Sequence, residues 1–185
     1  MGSNAWKKRL IDQSSLMELG DQLRSSGKKI VFTAGSWDLI HAGQCRYLEE
    51  AKSHGDILVV GVVSDRAISK VKGPNKPILG EKVRAEVITY LRSVDFVTIV
   101  PEPSCQPSLG LLKPDTYITV KEDWTSDYKN TKEYKTVTKY GGQVLVLDRQ
   151  SSKISTSAII SRAIGGSLSE LLKDFMQYRK DPLKE

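Results

Sequence analysis

A doubly wound α/β fold follows from three features of this 185-residue sequence. Five short apolar runs lack the polar alternation of half-exposed strands, so both faces of each need covering. Segments with apolar residues at helical spacing separate them, long enough to serve as the crossovers that parallel strands need. No internal repeat, low-complexity tract or linker longer than a loop interrupts the alternation, and this length suits one domain with a full core.

Residues 15–26 predict an amphipathic helix, with Ser15 and Glu18 as a capping box and Gly27 as its stop. "KIVFTA" (29–34) is the first buried strand, and 42–55 is a helix ended by Gly55. "DILVVGVVS" (56–64) is the second strand; "KGPNKPILG" (72–80) is a loop before a helix at 81–92 and the strand "DFVTIV" (95–100). A short helix near 107–112 leads to "DTYITV" (115–120), a polar loop, a helix near 130–140 and "QVLVL" (143–147). A helix begins near 156, and a last amphipathic one, about 167–180, opens on a second capping box, Ser167 and Glu170. The architecture expected is a five-stranded, Rossmann-like parallel sheet with helices on both faces, one domain over 1–185 with its core at about 15–164.

Composition narrows the partners. A net charge of +6, from 28 basic and 22 acidic residues, suits nucleotides, phosphorylated metabolites or nucleic acid. The basic residues are dispersed, without an Arg-rich arm or aromatic interleaving, which argues against nucleic acid. The longest apolar run, "ILVVGVV" (57–63), is far too short to span a membrane. The basic start "MGSNAWKKRLIDQ" lacks the apolar stretch of a signal peptide, and Trp6 stands where a myristoylation motif wants Ser or Thr. Cys45 and Cys105 have no metal-like spacing and read as reduced thiols, so a cytoplasmic location is expected.

Doubly wound sheets bind ligands beyond the carboxyl ends of their strands, so the loops there carry the chemistry. After strand one, in "AGSWDLIHAGQ", Gly35 permits close backbone approach and Gly43 lies in the next helix's first turn, whose amides and dipole favour an anion. His41 stands at that mouth, either to donate to a phosphate or simply to cap the helix. After strand two, Lys70, Lys72 and Lys76 lie on a loop stiffened by Pro74 and Pro77, which can reach over phosphates or be a solvated turn. Arg84 and Arg92 on the next helix have no assigned direction. After strand four come Lys121, Asp123 and Trp124, the last fit to stack on a base or to anchor the loop. After strand five, Arg149 and Lys153 precede Ser155, Thr156 and Ser157, which suit phosphate at a helix start or plain N-capping. His54, at a helix end outside any motif, reads as a solvated cap.

Together these residues resemble the cytidylyltransferase-like nucleotidyltransferase superfamily, marked by a His-x-Gly-His motif after strand one. "FTAGSWDLIHAGQ" is similar to its "FTNGCFDLLHAGH" form, and "ISTSAII" to its Ile-Ser-Thr-Thr signature; the likeness covers about 15–164. "GKKIVFT", "RYLEEAK…GD" and "KGPNKPI" look most like the adenylyltransferase domain of ADP-heptose synthesis enzymes. "KEDW" and "R…ISTS" are also similar to glycerol-3-phosphate cytidylyltransferases.

The resemblance implies attack by a sugar or polyol phosphate on the α-phosphorus of a nucleoside triphosphate, with pyrophosphate leaving. It implies His41, Gln44 and Lys72 as catalytic residues. It places the nucleotide against Thr33, Ala34, Gly35, Ser36, Asp38, His41, Gly43, Lys121, Asp123, Trp124, Arg149, Ile154, Ser155 and Thr156. Mg²⁺ is expected with the triphosphate, and no set of carboxylates marks a protein cage for it. A homodimer is a possible partner arrangement. Two departures stand out: Gln44 where the family has its second histidine, and "AGSW" where Asn-Gly-Cys-Phe is usual. Gln donates a hydrogen bond but cannot become cationic.

Heptose 1-phosphate with ATP is the leading substrate pair. Glycerol-3-phosphate with CTP is the alternative, and an FMN adenylyltransferase a more distant third. A nucleotide-binding protein without turnover is the competing class, supported only by Gln44.

Overall fold

The computed structural model describes residues 4–121, 127–148 and 155–180, with side chains described to 173. It falls into two units, residues 1–150 and 151–185. The first holds five parallel strands, β1 (Ile30–Gly35), β2 (Ile57–Val63), β3 (Phe96–Val100), β4 (Thr116–Val120) and β5 (Gln143–Leu147), in the order β3-β2-β1-β4-β5. Its helices are α1 (Leu16–Ser25), α2 (Ala42–Ser53), α3 (Asp65–Lys72), α4 (Glu81–Thr89), α5 (Gln106–Leu112) and α6 (Lys132–Lys139). The doubly wound, Rossmann-like sheet expected from the sequence is present.

Period-two alternation sorts each strand between two cores. Val31, Leu58, Val60, Val62 and Val97 pack with Tyr47, Leu48 and Ala51 of α2 and Ala85 and Ile88 of α4. Ile30, Phe32, Val59, Val100 and Tyr117 face the other way, against Leu16 of α1, Leu109 and Leu112 of α5 and Val137 of α6. Both faces of β1 to β4 are therefore dry, which is why those strands read as unbroken apolar runs, whereas β5, at the sheet edge, is half-buried. Cys105 lies in the second core with Sγ 3.4 Å from the Tyr117 hydroxyl, and burial pushes its thiol up to about 12. Cys45 is half-buried. Iodoacetamide at mildly alkaline pH should modify Cys45 and spare Cys105 in the native protein, since only a thiolate reacts; peptide mass mapping reads this out.

The chain before α1 guards a sheet edge. Leu10 bridges to Val97 of β3, and the Ile11 amide donates to the Val97 carbonyl at 2.8 Å. Arg9 anchors this segment by donating to the carbonyls of Asp95 (3.2 Å), Leu91 (3.3 Å) and Thr89 around the end of α4. An open edge is a template for pairing with other chains. Arg9→Ala should cost about 1–3 kcal/mol of unfolding free energy by urea titration and promote aggregation on heating.

Three local expectations differ from the structure. Ser15 has helical dihedrals and makes no side-chain cap, because a 3₁₀ turn at Gln13–Ser15 leads directly into α1; Glu18 accepts from Gln22 instead. Lys70 and Lys72, read as part of a loop, lie instead in α3 (Asp65–Lys72), capped by Ser64, whose hydroxyl accepts the Ala67 amide at 3.2 Å. In the second unit, α7 (Thr156–Lys180) is one continuous helix through Gly165 and Gly166. Ser167 therefore sits mid-helix, its hydroxyl donating to the Ala163 carbonyl. Two glycines weaken a helix by only about 1 kcal/mol each, too little to end one here. Among the described residues, no helix is long and apolar enough to cross a membrane.

Candidate active site

The order β3-β2-β1-β4-β5 places the switch point between β1 and β4, where the chain stops winding one way and starts the other. The two strands share only the pairs Val31–Thr116 and Phe32–Tyr117, against six pairs between β1 and β2. Beyond that short ladder they part, and the Tyr47 phenol of α2 fills the split. Its oxygen lies 2.8 Å from the Thr33 hydroxyl and donates to the Ile118 carbonyl at 3.2 Å. The crevice at the strands' carboxyl ends is thus built on a bridged floor. Thr33, expected at the nucleotide, is fully buried and gives its hydroxyl to this floor.

Above it runs the loop 36–41. Trp37 and Leu39 adopt left-handed backbone, φ 52° and 47°, which non-glycine residues accept only when surrounding contacts hold them. The contacts are identifiable. The Trp37 indole is buried, donates Nε1–H to the Gly61 carbonyl at 2.8 Å, and lies over Gly35. A Cβ at Gly35 would meet the indole at 3.0 Å, so that position stays bare. The "AGSW" departure is therefore a loop anchor, with Trp37 stacked under the turn. Ala34, Gly35 and Ser36 lie half-buried along its start.

Asp38 is buried, and its carboxylate accepts the amides of Ile78 (2.9 Å) and Leu79 (3.1 Å). Arg84, whose side chain is fully enclosed, reaches the same place from α4. Its guanidinium donates to the carbonyls of Leu79 (2.8 Å), Val63 (2.8 Å) and Ser36 and to Asp65 Oδ1 at 2.6 Å. The loop after β1 and the loop after α3 are therefore cross-braced by one carboxylate and one guanidinium. The sequence showed Arg84 on a helix but gave no direction for it. Arg92 points outward to Glu49.

Lys72 is the last residue of α3, and its ammonium donates to the Ser36 hydroxyl at 3.1 Å, beside the His41 loop. Gly73 follows at φ 92°, a left-handed exit that turns the chain toward Lys76 and Pro77. Of Lys70, Lys72 and Lys76, Lys72 is thus tied to the loop after β1.

His41 is the N-cap of α2, in extended backbone at φ −139°, ψ 167°. Gln44, at the third helical position, accepts the His41 amide through Oε1 at 3.1 Å, forming a capping box. The ring's Nδ1 is buried. Gly43 is buried in the same turn. Capping and function are therefore not alternatives for this pair. The cap sets the imidazole at the helix mouth, where the amides and the positive dipole end already favour an anion.

Lys121 directly follows β4 and is exposed. Asp123, Trp124, Arg149 and Ile154 lie outside the described residues. Ser155 and Thr156 open α7 in the second unit, and the Ser155 hydroxyl accepts the Ala158 amide at 3.1 Å, an N-cap contact. Among the described residues, no group of three His, Cys, Asp or Glu side chains is placed to hold a metal ion.

A model of the cytidylyltransferase-like family matches residues 32–162, from inside β1 into α7. Bifunctional protein HldE of Syntrophotalea carbinolica is 36% identical over 153 residues, 82% of this chain and 30% of that protein. HldE of Hahella chejuensis is 40% identical over 144 residues, 77% of this chain and 29% of that one. The chain thus spans about three tenths of the length of these curated relatives. Among solved structures, the lipopolysaccharide core biosynthesis protein from Thermoplasma volcanium GSS1 is similar, with a TM-score of 0.54 and 27% identity. That match covers 66% of this chain and 97% of that one. With the family's motif loop at the switch point of the family's sheet, this chain belongs to the cytidylyltransferase-like family of nucleotidyltransferases.

Proposed function

We propose that the protein transfers a nucleoside monophosphate from a nucleoside triphosphate to a phosphorylated sugar, with ATP and heptose 1-phosphate as the leading pair. An acceptor phosphate oxygen forms a bond to the α-phosphorus, the bond from that phosphorus to the bridging oxygen breaks, and pyrophosphate leaves. The attacking oxygen is already anionic, so no general base is needed; the protein positions the groups and offsets charge at the α-phosphate. The observation that carries this reading is the convergence of His41, the α2 amino terminus and Lys72 on one braced loop at the switch point. His41 meets the phosphates through Nε2, because Nδ1 is buried. Lys72 and Lys121 neutralise phosphate charge, and by the motif resemblance Arg149, Ser155 and Thr156 are further phosphate-binding candidates. Asp38 acts indirectly, since its two oxygens hold the Ile78 and Leu79 amides. Mg²⁺ enters with the triphosphate as its counter-ion, and the residues above act through charge and hydrogen bonds of their own. The similarity to the ADP-heptose branch, and to a solved lipopolysaccharide core biosynthesis protein, supports a sugar phosphate as acceptor.

Pyrophosphate release across a matrix of triphosphates and phosphorylated acceptors tests this, with the ATP and heptose 1-phosphate pair fastest. A preference for CTP with glycerol-3-phosphate gives the alternative assignment. Nucleotide binding without turnover for any pair leaves a binding protein.

Gln44 offers a sharper test. Its Oε1 is held by the His41 amide, which turns the amide nitrogen into the remaining donor. Gln44→Glu preserves the acceptor and adds a charge that a helix amino terminus favours, so melting temperature should hold or rise. Triphosphate affinity should fall about tenfold or more, because a carboxylate replaces a donor beside phosphate; unchanged affinity would make Gln44 a cap alone. Gln44→His should keep or raise the rate, by up to about a hundredfold.

A further inference from the structure

A cavity of about 450 Å³ opens at the amino ends of the strands, the end of the sheet away from the His41 loop. Lys29 precedes β1, Asp115 and Thr116 start β4, Gly142 and Gln143 start β5, and His54 caps the end of α2. The volume lies within the range of small-molecule sites. Its charge is unbalanced: Arg24, Lys29 and Lys113 face one carboxylate, Asp115. That carboxylate is engaged, accepting the Ile30 amide at 2.7 Å. Nearby Asp56 likewise takes the Lys29 amide, at 2.8 Å, rather than an ammonium.

Four donors line the cavity without an acceptor among the described residues: the ammonium groups of Lys29 and Lys113, the His54 imidazole and the Tyr140 hydroxyl. Arg24 completes the wall with its guanidinium spread over the Leu112 and Lys113 carbonyls (2.7 and 3.0 Å) and Asp21 (2.7 Å). The Tyr140 hydroxyl oxygen is buried, and a phenol taken from water without a partner is destabilising, so this position gains from an incoming acceptor. The ring is held from behind by Gly142, where a Cβ would meet it at 2.7 Å.

We propose that this cavity is a second ligand site, for a small molecule bearing a phosphate group, held by Lys29, Lys113 and His54 at its rim with Tyr140 beneath. It is separate from the catalytic crevice and does not depend on the activity assigned there. Two-dimensional amide NMR of the full chain, titrated in turn with inorganic phosphate, a hexose phosphate and a nucleoside monophosphate, tests it. Resonances of Lys29, His54, Lys113, Thr116 and Gly141 to Gln143 should shift saturably, and the probe that saturates at the lowest concentration identifies the ligand's source. The double variant Lys29→Gln, Lys113→Asn keeps a residue tolerant of the left-handed backbone at 113 (φ 51°) and should weaken this binding at least tenfold. Shifts around Gly43, at the other end of the sheet, should persist in it. Tyr140→Phe should weaken binding severalfold. Unmoved or merely linear shifts at these amides, or the same saturation in the double variant, would overturn the proposal.

Discussion

His41→Asn will fold like the native protein and lose roughly 10²–10³-fold in kcat/KM, the usual cost of removing one donor aimed at transition-state charge. The substitution separates two roles that share one side chain. As the N-cap of α2, position 41 is well served by asparagine, a preferred cap, so the fold should be retained. As a charge donor at the helix mouth, asparagine cannot become cationic. Steady-state kinetics with thermal unfolding on the same samples reads both. A variant with native melting temperature and activity within threefold of native would show that the imidazole does no chemistry.

Arg84→Met will destabilise the fold by about 3–5 kcal/mol, measured as loss of unfolding free energy in urea. The guanidinium is fully enclosed and holds three carbonyls from three separate segments plus Asp65. Methionine fills much of the volume but leaves those carbonyls without a donor, at roughly 1–3 kcal/mol each where water cannot enter. Asp65 is about two-fifths exposed, so its share of the loss is small. Lysine would not rescue fully, since a single ammonium cannot span the same fork. If the protein still folds, triphosphate affinity should fall too, because Ser36 and the 78–80 turn lose their brace. Unchanged stability in Arg84→Met would mean that these loops hold together through Asp38 and Trp37 alone.

The comparison between sequence and structure divides along physical lines. β1 to β4 were readable because a strand buried on both faces must be apolar throughout, a constraint visible within a run of five to seven residues, and half-buried β5 was readable from its four consecutive apolar residues. The motif loop was readable for a similar reason, since His41, Gly43 and Gln44 lie within four positions of one another. Helix α3 escaped notice because its charged, exposed face, with Lys70 and Lys72, resembles a loop, and only Ala67 and Ile68 are buried. The capping boxes misled in both directions. Ser15 and Ser167 have the right neighbours in the wrong backbone, whereas His41 and Gln44 form a box that residue types alone would not suggest.

Periodicity, glycine placement and the motif loop were enough to specify a doubly wound sheet and the helix mouth at which the proposed chemistry is placed. These depend on residues close together in the chain, where pattern and conformation are tied by local geometry. The bracing of the site was decided by the folded chain. Arg84 meets Ser36 across 48 positions and Asp38 meets Ile78 across 40, and nothing local to either residue sets those distances. The same holds for Tyr47, which bridges the split between β1 and β4, and for the cationic cavity that three strand beginnings and four helix ends enclose. Long-range contacts of this kind follow from strand order, which appears only once the crossovers have chosen their sides of the sheet.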